Sequence, residues 1–135
     1  MSGGGISQVE FGEELPVLEP DVSLENVKRF VRAAGMSFER FTDHEAARRE
    51  GLPGAIVPGI MSQGILAALI HRWAPDGRIV RIDTVFRAPI LVGSRPRATG
   101  VVTAKDDARH TVDIDLTIQN EAHETPVVGT ATVEL

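Results

Sequence analysis

Gly51-Leu-Pro-Gly-Ala-Ile-Val-Pro-Gly-Ile-Met-Ser-Gln-Gly-Ile-Leu-Ala-Ala-Leu-Ile-His-Arg-Trp73 decides the fold. A loop rich in glycine and proline runs into one almost wholly apolar helix. Pro58 suits the first helical position, where its missing N–H costs nothing and its fixed φ is already helical. From Ile60 to Trp73 apolar residues fall on every side, broken mainly by Ser62, Gln63, His71 and Arg72. Such a helix must be wrapped on most of its faces. At about 1.5 Å per residue it spans about 25 Å, too short for a comfortable membrane span. The unpaired N–H groups and positive dipole end at its start suit a carbonyl oxygen or oxyanion.

The wrapper follows in the sequence, where the period changes from helical to two-residue alternation. His110 to Gln119 puts Val112, Ile114, Leu116 and Ile118 on one face and Asp113, Asp115 and Thr117 on the other, the pattern of a half-buried antiparallel strand. Thr125 to Leu135 alternates likewise, with Val127, Gly129, Ala131, Val133 and Leu135 together. Arg78 to Arg87 groups Val80, Ile82, Thr84 and Phe86, and leaves Arg81, Asp83 and Arg87 opposite the core, where they can pair charges across a subunit interface. Arg97 to Lys105 places the small residues Ala98, Gly100, Val102 and Ala104 on one face, which lets a helix approach closely. Turns fall at Pro75–Gly77, Val92–Pro96, Lys105–Asp107 and Asn120–His123.

Upstream, Ser23 is expected to cap a helix running to about Ala34, with Leu24, Val27, Phe30 and Val31 buried. Thr42 to Glu50 predicts a second short helix, with Thr42 as cap and Gly51 as stop. An extended piece from Val9 to Leu18 completes the sheet. No repeat or linker divides residues 1–135, so one α+β domain is expected, an antiparallel sheet wrapped around a long apolar central helix. Residues 1–7 are expected to be disordered.

The formal net charge of −5 argues against a nucleic-acid track, which needs clustered Lys and Arg. Without cysteine there is no disulfide, thiolate nucleophile or Cys-based metal site. His110 and His123 fall at a strand start and a turn, and no two-His motif suggests a metal. His71 suits a helix C-terminus, where a cation is favoured. No cofactor and no membrane contact are expected. The start, Met1-Ser-Gly-Gly-Gly-Ile6, lacks a basic region followed by an apolar run, so a cytoplasmic protein is the default.

Three stretches carry a resemblance: Phe11-Gly-Glu-Glu-Leu-Pro16, Glu45-Ala-Ala-Arg-Arg-Glu-Gly-Leu-Pro-Gly-Ala-Ile-Val-Pro-Gly-Ile-Met-Ser62 and Phe86-Arg-Ala-Pro-Ile-Leu-Val-Gly93. Through them nearly the whole chain resembles the MaoC-like single hot-dog family, which contains R-specific enoyl-CoA hydratases and 3-hydroxyacyl-thioester dehydratases. The resemblance implies a hot-dog fold, an acyl-thioester ligand (on CoA or an acyl carrier protein) and a dimer in which two sheets join, with ligands at the interface.

The same alignment removes the chemistry. Active relatives carry Asp-x-Asn-Pro-x-His just before the helix that here starts near Glu45. Counted back without a gap, Met36 stands at the Asp position, Phe38 at the Asn position, Glu39 at the Pro position and Phe41 at the His position. Neither Met nor Phe accepts or delivers a proton. A positioned acid or base contributes about 10²–10⁴-fold, so the loss of both should nearly abolish hydration. By resemblance Gly59 matches the glycine whose N–H binds the thioester carbonyl, Ser62 matches a polar position behind the catalytic Asp, and Pro58 stands where many relatives have His. Met36, Phe38 and Phe41 would line a tunnel for an apolar ligand, or plug it.

Asp43 and His44 are the weak candidates for substitute catalysis, since adjacent residues on a helix point in different directions. Three functions stay open. The chain is a non-catalytic acyl-thioester or hydrophobic small-molecule binder, a homodimer or a heterodimer with an active MaoC-like homologue. It is a lyase, dehydratase or isomerase of acyl-thioester or secondary metabolism using other residues. Or it is a purely structural subunit.

Overall fold

The computed structural model describes residues 5–135. Three α-helices, α1 (Leu24–Ala33), α2 (His44–Arg49) and α3 (Gly59–Trp73), precede four strands, β1 (Arg78–Phe86), β2 (Arg97–Asp106), β3 (Thr111–Gln119) and β4 (Val127–Glu134). The strands form one antiparallel sheet in the order β1-β4-β3-β2. The segment before α1 lies along the free edge of β2, with bridges Glu14–Val101 and Leu18–Ala98. It is bonded there through the Gly12, Leu15 and Leu18 N–H groups at 2.8–3.0 Å.

The sheet faces α3 with the side chains that alternation selects. Val112, Ile114, Leu116 and Ile118 are all buried, as are Ala98, Gly100 and Val102 opposite them. Gly100 is needed for close approach, because a Cβ there would lie 3.2 Å from Leu15, Ile114 and Leu116 side-chain atoms. From α3, Leu66, Leu69, Ile70 and Trp73 complete the core with no more than 1 % exposure. Each contributes about 1.5–3 kcal/mol by leaving water. Trp73 also keeps its polar atom satisfied, its Nε1–H donating to Glu13 Oε2 at 2.9 Å.

Several local expectations are corrected. β-bulges lie at Val80 and Thr103, where the partner registers skip a residue. Past a bulge the side-chain alternation changes phase, so Ile79 and Ile82 both pack on the core while Val80 is exposed, and Ala104 turns outward. Phe86 is also exposed, although its ring reaches Gly59. Pro58 is the residue before α3 and not its first turn: its ψ of 141° is extended, and its carbonyl accepts from the Met61 and Ser62 N–H groups. Asp43, one residue after Thr42, caps α2. Gly51 does end that helix, at φ +91°, with Leu52 N–H returning to Ala47 O at 3.1 Å. Ile6 is buried in the core and sits in a short 3₁₀ turn, Ile6–Gln8, so the expected disorder does not extend through residue 7. Residues 1–4 lie outside the described residues.

The wrapping of α3 is incomplete. Ile60 is 62 % exposed, and Gly64 and Ala68 continue the same uncovered stripe at four-residue spacing. It adjoins β1, to which Gln63 Nε2 donates at 3.2 Å through Thr84 Oγ1. No helix among the described residues is long and apolar enough to cross a membrane.

Candidate functional site

A pocket of about 420 Å³ opens at the start of α3. Its walls are Ile56, Val57, Gly59 and Ser62 on one side, the stretch from Phe86 to Ile90 on another, and Val127 behind. The two sides are sewn together by backbone: Val57 N–H donates to Ile90 O at 2.8 Å, and Val92 N–H to Ala55 O at 2.9 Å. Gly59 is the first residue of α3, so its N–H has no acceptor within the helix. None is found elsewhere among the described residues. Ser62 is 2 % exposed and its hydroxyl bonds no described residue, although it lines the pocket. An unpartnered backbone donor and a buried, unpartnered hydroxyl thus share one largely apolar cavity. That combination suits a carbonyl at the end of an apolar chain.

Among the residues lining the pocket only Ser62 and Arg87 have polar side chains. An arginine stays protonated and a lone serine hydroxyl is not a base. The pocket therefore holds no group suited to taking a proton at neutral pH.

The segment from Met36 to Phe41, which the sequence reading sets against the family's Asp-x-Asn-Pro-x-His, adjoins this wall. Glu39–Phe41 is a 3₁₀ turn, and Arg40 O accepts from the Ile56 N–H at 3.0 Å. Met36 and Phe41 pack against the core. Phe38 is 58 % exposed, meets Phe41 edge-on at 6.3 Å between ring centres, and carries the Arg40 guanidinium over its face at 5.1 Å. Arg40 Nε lies 3.3 Å from Glu50 Oε1 but lacks hydrogen-bond geometry there. None of Met36, Phe38 and Phe41 lines the Gly59 pocket. Pro58 is buried beside it without being part of its wall.

Asp43 and His44 are turned to different partners. Asp43 Oδ1 accepts from the Glu45 and Ala46 N–H groups at 2.9 and 3.2 Å, which occupies it as a helix cap. His44 Nδ1 accepts from the Ala55 N–H at 3.0 Å. Gly54 makes room for this, since a Cβ there would lie 3.0 Å from His44 Nδ1. Asp43 thus closes the start of α2, and His44 ties α2 to the loop before α3. His71 is exposed in the last turn of α3, and His110 and His123 occupy turns at φ +56° and +63°. No group of three or more His, Asp or Glu among the described residues is placed to hold a metal ion.

Phe86, Ile90 and Val127 were not singled out from the sequence as pocket residues. Phe86 and Ile90 sit in the Phe86–Gly93 stretch that carries the family resemblance, the one signal that pointed there. Val127 gave no such signal, being one more apolar position of β4.

The profile of the family described as MaoC like domain matches residues 29–124, and the chain belongs to that family. Comparison with curated proteins gives no match. Among solved structures the fold is similar to the (R)-hydratase from A. caviae involved in PHA biosynthesis, with a TM-score of 0.90 at 19 % identity over 95 % of this chain and 98 % of that one. It is similar to a chain of the ChsH1–ChsH2 complex from Mycobacterium tuberculosis, with a TM-score of 0.86 at 18 % identity over 95 % and 99 %. A chain of the HadBC (3R-hydroxyacyl-ACP dehydratase) complex from the same organism gives 0.69 at 20 % over 93 % and 98 %. At these identities the likeness shows the hot-dog fold.

Proposed function

We propose that this protein is a MaoC-like subunit that binds an acyl thioester, or a comparable apolar carbonyl compound, in the Gly59 pocket and lacks standard hydratase activity on its own. One observation carries the proposal: the pocket is lined by Gly59, whose N–H has no acceptor among the described residues, and by no Asp, Glu or His. The Gly59 N–H receives the carbonyl oxygen, the Ser62 hydroxyl supplies a second donor, and Val57, Phe86, Ile90 and Val127 enclose the apolar part. Loss of a positioned acid and base removes about 10²–10⁴-fold each when measured singly, and paired groups act non-additively. Polarising a carbonyl without them leaves binding as the main outcome.

Dimer formation belongs to the proposal. β1 is an edge strand without proline or lysine, and Val85, Phe86 and Ile60 are exposed along it. Such an edge favours pairing with another chain, either a second copy or an active MaoC-like homologue. The two similar complexes from Mycobacterium tuberculosis are assemblies of two named components, which supports a paired arrangement here. The protein is expected to act in the cytoplasm as one domain.

Calorimetric titration with a saturated acyl-CoA, which cannot be hydrated, tests the proposal. Saturable binding that Gly59→Val weakens about tenfold or more supports it. An absence of binding over short, medium and long chains overturns it in favour of a purely structural subunit.

A further inference from the structure

Water addition to an enoyl thioester needs one group to take a proton and one to return it. No Asp, Glu or His lines the Gly59 pocket. What the pocket does hold is a pair of donors. One is the free N–H of Gly59, at the start of a fifteen-residue helix. The other is the Ser62 hydroxyl, 2 % exposed and bonded to no described residue. Gly59 and Ser62 are three residues apart, so they stand on the same side of the helix. Donors placed in this way stabilise negative charge that develops on an oxygen, an enolate oxygen included.

For a simple acyl thioester such a site gives binding alone. One class of reaction asks for these donors and for no base. When a carboxylate on the carbon beside a thioester carbonyl leaves as carbon dioxide, one C–C bond breaks. Its electron pair moves onto the carbonyl oxygen, which becomes an enolate. Water then gives a proton to the α-carbon. Each turnover consumes one proton and releases one carbon dioxide, with no oxidant, reductant or second organic substrate.

We propose, resting on the acyl-thioester binding proposed above, that the Gly59 pocket decarboxylates β-carboxyacyl thioesters of the malonyl type. The Gly59 N–H and the Ser62 hydroxyl hold the thioester oxygen as it becomes an enolate. Val57, Phe86, Ile90 and Val127 surround the reacting carbons with apolar surface, where a carboxylate is poorly solvated and its departure as a neutral gas is favoured. Arg87 is the one charged residue among those lining the pocket, and no described residue pairs with its guanidinium. It is exposed, so it attracts an anionic ligand while its own charge stays in water. A lining carboxylate would repel the same ligand. The absence of a side chain at Gly59 keeps the place of the carbonyl open, since a Cβ there would lie 3.2 Å from Phe86 Cζ.

Malonyl-CoA offered to the purified protein, with acetyl-CoA followed by chromatography, tests this. Acetyl-CoA should accumulate above the uncatalysed rate, with one equivalent of carbon dioxide. Ser62→Ala should lower kcat about 10²-fold with KM little changed, because the oxygen carries more charge in the transition state than in the bound thioester. Gly59→Val should abolish turnover, and Asp43→Ala should leave kcat unchanged. Thermal melts separate a lost fold from lost chemistry in each variant. Turnover that a folded Ser62→Ala variant retains in full overturns the proposal. So does an absence of acetyl-CoA in a protein that binds a saturated acyl-CoA, a result that leaves the binding proposal standing. Failure to bind either thioester removes both.

Discussion

The Cα of Gly59 faces the rim of the Phe86 ring: a Cβ added there would lie 3.2 Å from Phe86 Cζ. The first residue of α3 and the last of β1 thus close the pocket between them, and only a residue without a side chain leaves space beside the free N–H. A methyl displaces a ring that is itself half exposed, so Gly59→Ala should change the melting temperature little. Gly59→Val fills the space and should weaken acyl-CoA binding about tenfold or more, equivalent to about 1.4 kcal/mol. Calorimetry on the two variants, with thermal melts beside it, checks both statements.

Asp43 acts as a helix cap. Its carboxylate meets the Glu45 and Ala46 N–H groups, and replacing such a cap by alanine costs about 1 kcal/mol. For a domain of this size Asp43→Ala should lower the melting temperature by about 2–6 °C. Acyl-CoA affinity should stay the same. A loss of affinity without a loss of stability would place Asp43 in the binding machinery instead.

Trp73 and Glu13 are sixty residues apart in sequence and joined by one bond, Nε1–H to Oε2 at 2.9 Å. Trp73 is 1 % exposed, so Glu13→Ala strands a buried donor at a cost of about 1–3 kcal/mol. Glu13→Gln keeps an acceptor and should recover most of it. Chemical denaturation of the two variants compares them directly.

Asp21 gives the stability an acid-dependent component. Its Oδ1 accepts the Ser23 backbone N–H at 2.9 Å, and that bond, helped by the Ser23 side chain, holds its carboxyl below the usual aspartate value. A group whose pKa is lower folded than unfolded stabilises the fold above its unfolded pKa and loses that contribution as pH falls through the folded value. Asp21→Asn should therefore lose stability near neutral pH and show a shallower decline in acid than wild type. Melts across the acid range, with identical slopes as the contrary result, decide it.

Much of this was legible in the residues because period and chemistry agree. β3 follows strict alternation, and its four inward side chains are buried as expected. α1 runs from the Ser23 cap as read. The bulges were not legible, since a bulge leaves no mark when the extra residue is as ordinary a strand former as Val80 or Thr103. The composition of α3 says that it is apolar on all sides. It does not say that one stripe, Ile60–Gly64–Ala68, stays uncovered beside a free strand edge. Gly59 and Ser62 are marked in the sequence by the start of a helix, and both line the pocket. The dispersal of Met36, Phe38 and Phe41 away from the pocket was not legible. It depends on the local turn, a 3₁₀ turn at Glu39–Phe41, and on packing that takes Met36 and Phe41 against the core and leaves Phe38 exposed, none of which follows from spacing.

The central claim is a family fold without its hydration chemistry, and the loss of enoyl-thioester absorbance tests it most directly. The purified protein alone, offered short and long trans-2-enoyl-CoAs, should give no turnover above the uncatalysed rate at any chain length. Turnover that survives Met36→Ala and Phe41→Ala but is abolished by Asp43→Ala or His44→Ala would contradict the account and locate an active site at the start of α2.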